Sequence, residues 1–186
     1  MNPLPKEFPQ LHTSRLTLGA ITNANLPDLY REFSNPSVTR YYNLPPFTNT
    51  EKAAELLRYF TKQFEDKEGI RWGIFLKKDN SFIGTIGINA FHDGHRCTIS
   101  FDLIPNYWHK GYMAEALEII ALYIFASLEV NRIEAEVMLD NEASCKLLEK
   151  TGFVKEGVLH EWMYFNGQFH DMYMYSMLKR NFTKEV

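Results

Sequence analysis

One junction near the middle of the chain restricts the fold most: a strand-like run feeds a short loop whose glycine opens a long helix. The apolar run over residues 99–104 stops at Pro105, and Gly111 precedes a segment with helical apolar spacing up to about Leu128. A helix that begins in this way exposes backbone N–H groups at its N-terminus, where a phosphate or pyrophosphate can bind. The junction therefore predicts either an anion site or, about as often, a simple turn. The loop contains neither a Gly-Lys-Ser/Thr phosphate loop nor a Gly-x-Gly-x-x-Gly dinucleotide motif.

Length, charge and cysteine content restrict the class of protein. A chain of 186 residues with 45% hydrophobic composition can bury one substantial core, so a single domain over residues 1–186 is predicted. A formal charge of −3 disfavours direct nucleic-acid binding through bulk positive charge. No apolar run of about 18 residues occurs, so no membrane span or membrane partner is predicted. The two cysteines, Cys97 and Cys145, have no framework or metal-ligand spacing. We therefore expect a soluble, cytoplasmic protein with free thiols.

The pattern of apolar and turn residues predicts an α/β domain with a mixed sheet flanked by helices. Strands are predicted at 16–21, 72–76, 82–90, 98–104, 132–139, 153–164 and 168–178, the last two joined by Asn166-Gly167. Helices are predicted at 26–33, from a capping-box pattern at 48–51 to about Asp66, at 112–128, and from a cap at Asp140 to about Thr151. The fourth and fifth predicted strands, 98–104 and 132–139, enclose the junction and its helix.

Several segments carry a resemblance to a known family through their order and spacing. They are residues 11–18, 35–41, 101–105, 111–116, 140–144, 150–153, and 156–159 with 166–171. Together they resemble the GCN5-related N-acetyltransferase (GNAT) family over nearly the whole chain, and most of all the subgroup that acetylates ribosomal-protein N-termini. The resemblance implies the acyl-CoA N-acyltransferase (GNAT) fold, with a mixed, mostly antiparallel sheet whose fourth and fifth strands splay apart. It also implies acetyl-CoA as cosubstrate and no metal.

The resemblance assigns roles to the strand end and the loop of the opening junction. Backbone groups near Leu103 and Ile104 are implied to pair with the pantetheine arm of CoA. Backbone N–H groups are implied to bind its pyrophosphate at His109, Lys110, Gly111, Tyr112, Met113 and Ala114. The family pattern Gln/Arg-x-x-Gly-x-Gly/Ala keeps only its central glycine here. Trp108, His109 and Met113 are larger than the residues usual at those places, and such side chains could crowd the phosphates.

Asn141 and Ser144 are the remaining predicted site residues. The resemblance implies that the Asn141 amide hydrogen-bonds the pantetheine, whereas its local alternative is a helix cap or turn residue. Ser144 follows one helical turn later on the same face. By resemblance it protonates the departing CoA thiolate, and its alternative is a helix-surface residue. Many relatives carry a tyrosine where this chain has Leu148. Because leucine cannot donate a proton, Ser144 is the better candidate for the proton donor.

The predicted reaction is the transfer of an acetyl group from acetyl-CoA to a primary amine, by direct attack in a ternary complex. The subgroup resemblance suggests a protein or peptide N-terminus as acceptor. Two alternatives stay open: a small-molecule amine acetyltransferase acting on an antibiotic, polyamine or amino acid, and a non-catalytic acyl-CoA-binding module. The proton acceptor is left open among Asp102, Glu134 and Glu136. For each of them, the simpler interpretation is a structural or solvated carboxylate. The oligomeric state is also open, with a homodimer among the options.

Two further segments allow two readings. Residues 92–95, His-Asp-Gly-His, could form a surface metal site, but Asp-Gly between two strands favours a hairpin turn. The pair Tyr41 and Tyr42, together with Phe47, could wall an acceptor groove or belong to the core. Cys145, without a recognisable base nearby in sequence, is predicted to be an inert thiol.

Overall fold

The computed structural model describes residues 4–93 and 95–182. The strands of this described part are β1 (Leu11–His12), β2 (Leu16–Gly19), β3 (Ile70–Leu76), β4 (Phe82–His92), β5 (Arg96–Leu103), β6 (Arg132–Met138), β7 (Val154–Phe165) and β8 (Gln168–Leu178). Its α-helices are α1 (Leu26–Phe33), α2 (Pro36–Thr39), α3 (Thr50–Glu65), α4 (Tyr112–Ser127) and α5 (Glu142–Lys150). Among the described residues, no helix is both long and apolar enough to cross a membrane.

The eight strands form one mixed sheet in the order β1-β2-β3-β4-β5-β6-β8-β7. Neighbouring strands are antiparallel except for β5 and β6, which are parallel. This arrangement confirms the prediction of a mixed, mostly antiparallel sheet flanked by helices. The short strand β1 was not predicted, so the fourth and fifth predicted strands are β5 and β6. A parallel pair needs a crossover connection, and α4 supplies it.

Helices cover the sheet on both faces. On one face, α4 buries a stripe of apolar side chains against the strands, including Ala116, Ile120 and Ile124. On the other face, α1 and α3 bury Leu29 and Leu57 in a second cluster. Alternate strand residues point to opposite faces, so the side chains of β5 divide between the α4 core and the face on which α1 and α3 lie.

The predicted helix ends differ from the observed ones at two caps. The N-cap of α5 is Asn141 and not Asp140, whose carboxylate is paired with Arg40 at 3.3 Å. The N-cap of α3 is Asn49, whose side-chain oxygen accepts from the Lys52 N–H at 3.2 Å, one residue later than the capping-box pattern predicts. Both shifts replace one capping side chain by an adjacent one of similar chemistry. Helix α2 was not predicted.

The segment 92–95 joins β4 to β5, as the hairpin reading predicts. Gly94 itself lies outside the described residues. Asp93 has a positive φ of 52°, which suits a tight turn. The His92 ring nitrogen Nε2 lies 3.0 Å from the Thr98 hydroxyl, so this imidazole contacts the strand that follows.

Candidate active site

The centre of the sheet opens where β5 and β6 separate. Their parallel register comprises the pairs Arg96 with Arg132, Cys97 with Ile133, and Thr98 with Glu134. Beyond Thr98, the described residues of β5 pair with β4, and those of β6 beyond Glu134 pair with β8. Because the two strands run parallel, the helices that follow them, α4 and α5, begin at the same edge of the sheet. A wedge-shaped opening flanked by two helix N-termini results.

The end of β5 presents backbone groups to this opening. The Ile104 N–H donates to the Ile83 carbonyl at 2.9 Å, and the Ile104 carbonyl accepts from the Tyr107 N–H at 2.9 Å. Because antiparallel residues alternate between the two sides of a strand, the backbone groups of Leu103 point away from β4 and toward the opening. The Leu103 carbonyl accepts from the Trp108 indole nitrogen at 2.7 Å. The Leu103 N–H is therefore the group that remains for a ligand at this strand end.

The loop after β5 turns sharply before α4. Residues Pro105–Tyr107 form a 3-10 turn, and the backbone then passes through left-handed conformations at His109 (φ 59°) and Gly111 (φ 77°). Gly111 is the N-cap of α4, and no side chain caps the helix there. The first backbone N–H groups of α4 thus have no partner within the helix. They form a site suited to an anion.

The side chains of the loop lie mostly away from those N–H groups. Met113 is buried at 6% exposure in the core beneath α4, so its bulk does not occupy the helix N-terminus. The Lys110 ammonium donates back to the Asn106 carbonyl at 2.8 Å. Ala114 is half-buried, and Tyr112 lies with its ring 4.5 Å from the Arg15 guanidinium carbon. His109 is exposed and occupies a left-handed conformation that a glycine would adopt with less strain.

Asn141 and Ser144 lie at the start of α5, beside the end of β6. The Asn141 side-chain oxygen accepts from the Ser144 N–H at 3.2 Å, so Asn141 caps the helix. Its amide nitrogen is a separate donor that the cap does not use. Ser144 is half-buried, and its hydroxyl has no intramolecular hydrogen bond among the described residues. Both predicted groups therefore remain available to a ligand.

Three carboxylates lie on β5 and β6, and two of them are engaged. Asp102 is buried, and it accepts from the Thr85 N–H at 3.0 Å and from the Tyr42 hydroxyl. Glu134 is 5% exposed and is paired with Arg132 at 2.6 Å and Arg96 at 3.1 Å. These two side chains therefore serve the structure, as their simpler reading predicts.

Glu136 differs from both. It is half-buried on the same face of β6 as Glu134, two residues beyond the last pair with β5, and no partner is present for it within the described residues. Of the three carboxylates that the sequence left open, Glu136 alone is free to interact with an acceptor.

Tyr41 and Tyr42, which could line an acceptor groove or belong to the core, pack in different parts of the fold. Tyr42 and Phe47 pack on Phe33 in the core beneath α1, with ring centroids 5.4 Å apart in each case. Tyr41 instead packs against an apolar cluster at the end of β6 that contains Met138, and its hydroxyl donates to the Asp140 carbonyl at 3.3 Å. The other members of this cluster are Met163, Phe165 and Met172. Tyr41 thus connects the α2–α3 segment to the entrance of α5.

One contact was not predicted as part of the site. Glu115, in the first turn of α4, accepts hydrogen bonds from the N-terminal segment at Thr13, Ser14 and Arg15. Partial burial raises the pKa of the Glu115 carboxyl, but these hydrogen bonds outweigh it and lower that pKa to about 2. Two segments quoted for the family resemblance, 11–18 and 111–116, contain these residues, yet their spacing gave no sign of mutual contact.

Comparison with known proteins identifies the family. A model of the acetyltransferase (GNAT) domain matches residues 15–154. The chain is 42% identical to the uncharacterized N-acetyltransferase YoaA of Bacillus subtilis (strain 168), covering 92% of this chain and 98% of the relative. It is 31% identical to the putative ribosomal N-acetyltransferase YdaF of the same organism over 67% of both chains. It is 26% identical to a spermidine N(1)-acetyltransferase of Vibrio cholerae, covering 86% of this chain and 90% of the relative.

Solved structures share the fold. RimL, a ribosomal L7/L12 alpha-N-protein acetyltransferase solved with coenzyme A, superposes with a TM-score of 0.82 at 20% identity, covering 92% of this chain and 98% of that chain. A spermidine N-acetyltransferase from Vibrio cholerae, solved with CoA and spermine, gives a TM-score of 0.79 at 22% identity, covering 92% of this chain and 100% of that chain. From the family model, the sequence relatives and the shared architecture, the chain belongs to the GNAT family of acetyl-CoA-dependent N-acetyltransferases.

Proposed function

We propose that this enzyme transfers the acetyl group of acetyl-CoA to the N-terminal amine of a protein or peptide, in the cytoplasm and by direct attack in a ternary complex. The observation that supports it most is the opening between β5 and β6. The strands diverge after Thr98 and Glu134, and an N-terminus of α4 or α5 follows each strand at the same edge. One helix start offers anion-binding N–H groups, and the other offers an amide and a hydroxyl.

The residues at this opening fit acetyl-CoA. Backbone N–H groups over residues 109–114 would bind the pyrophosphate, because a helix N-terminus needs no basic side chain for that purpose. The Leu103 N–H and the Asn141 amide would hold the pantetheine arm. Glu115 is the acidic residue in the first turn of α4, and its ion pair with Arg15 at 2.6 Å offsets its charge. When bound, acetyl-CoA supplies the thioester carbonyl that the amine attacks.

The protein groups then have to move protons. The neutral acceptor amine forms a C–N bond to the thioester carbonyl, and the C–S bond breaks. Glu136, directly or through water, accepts the proton that the attacking nitrogen loses. The Ser144 hydroxyl donates a proton to the departing sulfur and regains one from solvent. The products are an N-acetylated amine and CoA with a free thiol.

The charge distribution favours a single amine over a polyamine as acceptor. A polyamine carries several positive charges and would be recognised by several free carboxylates. Here Asp102 and Glu134 are tied to partners in the fold, which leaves Glu136 on this face of β5 and β6. Tyr41 and Met163, which are half-buried at the edge of the adjacent apolar cluster, offer a surface that suits an uncharged peptide segment better than a polyamine chain.

A panel of acceptors tests the proposal. CoA thiol release would be measured with peptides bearing free N-termini, with the same peptides N-acetylated, and with spermidine and aminoglycosides. We expect turnover with free N-terminal peptides and none with the blocked ones. Turnover with spermidine and none with any peptide would overturn the acceptor assignment, and it is the outcome to which the 26% identity with a spermidine acetyltransferase points.

A further inference from the structure

Hydrogen bonds hold the N-terminal segment at residues 13–15 against the first turn of α4. The Glu115 carboxylate accepts from the Arg15 N–H at 2.8 Å, the Ser14 hydroxyl at 3.0 Å and the Thr13 hydroxyl at 2.5 Å. Its other oxygen accepts from Arg15 Nε at 2.6 Å. With its pKa lowered to about 2, Glu115 is ionised at neutral pH and forms charge-assisted hydrogen bonds with Arg15.

The same arginine reaches the loop that precedes α4. Arg15 Nη1 donates to the Lys110 carbonyl at 3.0 Å. Its guanidinium carbon lies 4.5 Å from the centre of the Tyr112 ring. A Cβ atom placed on Gly111 would lie 3.4 Å from Arg15 Nη2. Arg15 therefore contacts Lys110 and Tyr112 and lies beside Gly111 between them.

The hydrogen bond to the Lys110 carbonyl also fixes the direction of the Gly111 N–H, which belongs to the same peptide unit. In a trans peptide unit the carbonyl and the following N–H point in opposite directions within one plane. Holding the Lys110 carbonyl on the Arg15 side therefore directs the Gly111 N–H away from Arg15. This N–H belongs to the group that the proposed function assigns to the CoA pyrophosphate.

The loop needs such support because its backbone is strained. His109 is a non-glycine residue with φ 59°, a conformation that costs roughly 1–2 kcal/mol for residues with a Cβ. A strained segment persists where its surroundings hold it in place. Arg15, anchored by Glu115, contacts the loop at Lys110, which lies between the two left-handed positions, and at Tyr112, which follows the second of them.

We propose that Arg15 is a positioning residue for CoA: anchored by Glu115, it orients the Lys110–Gly111 peptide so that the loop N–H groups point at the pyrophosphate. The inference rests on the proposed CoA site. It predicts that Arg15 affects the part of the ligand that carries phosphate and leaves the pantetheine part unaffected.

Binding of CoA and of pantetheine, which lacks the pyrophosphate and the adenosine, separates these parts. Arg15→Lys keeps the charge, but a single ammonium cannot reproduce the two directed bonds to Glu115 and Lys110. We expect the Kd for CoA, measured by calorimetry, to rise about tenfold, the cost of weakening hydrogen bonds to a charged group. The Kd for pantetheine, measured by chemical-shift titration, should remain at the wild-type value. Arg58→Lys, on α3, is the matched control and should change neither constant.

The binding constants test the proposed CoA site and the role of Arg15 separately. If wild-type protein binds CoA no more tightly than pantetheine, the proposed CoA site itself is wrong. If wild-type protein does prefer CoA, but Arg15→Lys weakens both ligands equally or neither of them, the positioning role is overturned. Should Arg15→Lys fail to fold, Glu115→Gln provides the same test, because it removes the charge that anchors Arg15 while keeping the shape of the side chain. It too should weaken CoA selectively, and an equal loss for pantetheine would contradict the inference.

Discussion

The side-chain oxygen of Asn141 accepts a hydrogen bond from the Ser144 N–H over 3.2 Å. This contact makes Asn141 the N-cap of α5 and fixes Ser144 relative to it. The cap uses the oxygen of the amide and leaves its nitrogen as a donor. The structural role and the proposed ligand role of Asn141 are therefore carried by different atoms, and substitutions can separate them.

Asn141→Asp should weaken acetyl-CoA binding without destabilising the protein. Aspartate caps a helix about as well as asparagine, so the melting temperature should stay near the wild-type value. It has no N–H donor, and the Kd for acetyl-CoA should rise about tenfold. Asn141→Ser, a neutral cap that lacks the amide nitrogen and has a shorter reach, separates the loss of the N–H donor from the added charge. Asn141→Ala should cost about 1 kcal/mol of stability in addition. Wild-type affinity in both the Asp and Ser variants would leave Asn141 as a cap only.

Ser144→Ala should lower turnover and leave acetyl-CoA affinity unchanged. The substitution removes the hydroxyl proposed to protonate the CoA thiolate, while the backbone N–H that completes the cap remains. We expect kcat to fall about tenfold, less than the usual general-acid contribution of roughly a hundredfold or more, because a thiolate leaves readily. Steady-state kinetics with the best acceptor of the panel measure it. Ser144→Thr keeps a hydroxyl and should retain most of the activity. An undiminished kcat in Ser144→Ala would remove the assignment.

His109→Gly should stabilise the protein. The native φ of 59° is unstrained for glycine but strained for a residue with a Cβ. The relief exceeds the extra chain entropy of glycine in the unfolded state, so we expect a gain of about 0.5–1 kcal/mol in the free energy of unfolding. His109→Ala keeps the strain and removes only the imidazole. Equal stabilisation by both variants would place the effect in the imidazole and not in the backbone.

The parts of the site that the sequence predicts are those built from neighbouring residues. The apolar run before Pro105 and the glycine at position 111 are local signals for the strand, loop and helix start, and all three form as predicted. Contacts that join distant segments left no such signal. Arg15 and Glu115 lie 100 residues apart in sequence, and nothing near either residue distinguishes it from an ordinary surface charge.

The cap of α5 shows the same limit at the scale of one residue. Asp140 and Asn141 are adjacent and both suit an N-cap, so local spacing does not choose between them. In the fold Asn141 caps the helix, and Asp140 pairs with Arg40, which lies 100 residues away. Trp108 is a similar case, because its bond to the Leu103 carbonyl depends on the 3-10 turn between them. Local patterns therefore predict the elements around the proposed site, but not the distant residues that contact them.

Glu134→Ala should destabilise the sheet at the point where β5 and β6 part. Glu134 is the last β6 residue paired with β5, and its buried carboxylate holds Arg96 and Arg132. Removing this carboxylate takes a charged hydrogen-bond acceptor from two arginines that remain partly exposed, and the expected loss is about 2 kcal/mol in urea unfolding. Glu156→Ala is the control, since it takes a more exposed partner from Arg132 and should cost about 1 kcal/mol or less. Equal losses would contradict a special role for Glu134.

A second buried carboxyl, Glu32 on α1, lacks such compensation. It is fully buried, and neither of its oxygens has a hydrogen-bond partner among the described residues. Burial, and then the negative charge of Asp102, raise the pKa of Glu32 well above its usual range, and Arg71 offsets this only in part. Between the unfolded and folded pKa values the native protein binds more protons than the unfolded chain. Glu32 therefore costs stability progressively as the pH rises through that window.

Glu32→Gln should remove this cost, because glutamine has a similar shape, stays neutral and offers an N–H to Asp102. The variant and the wild type should be about equally stable near pH 5, and the variant should gain as the pH rises, by roughly 1–3 kcal/mol at pH 8. Urea unfolding across this pH range measures the difference. Glu65→Gln, at an exposed position of α3, controls for the loss of one formal charge. A difference that is constant with pH, or that grows toward acid, would show that Glu32 is ionised in the folded protein.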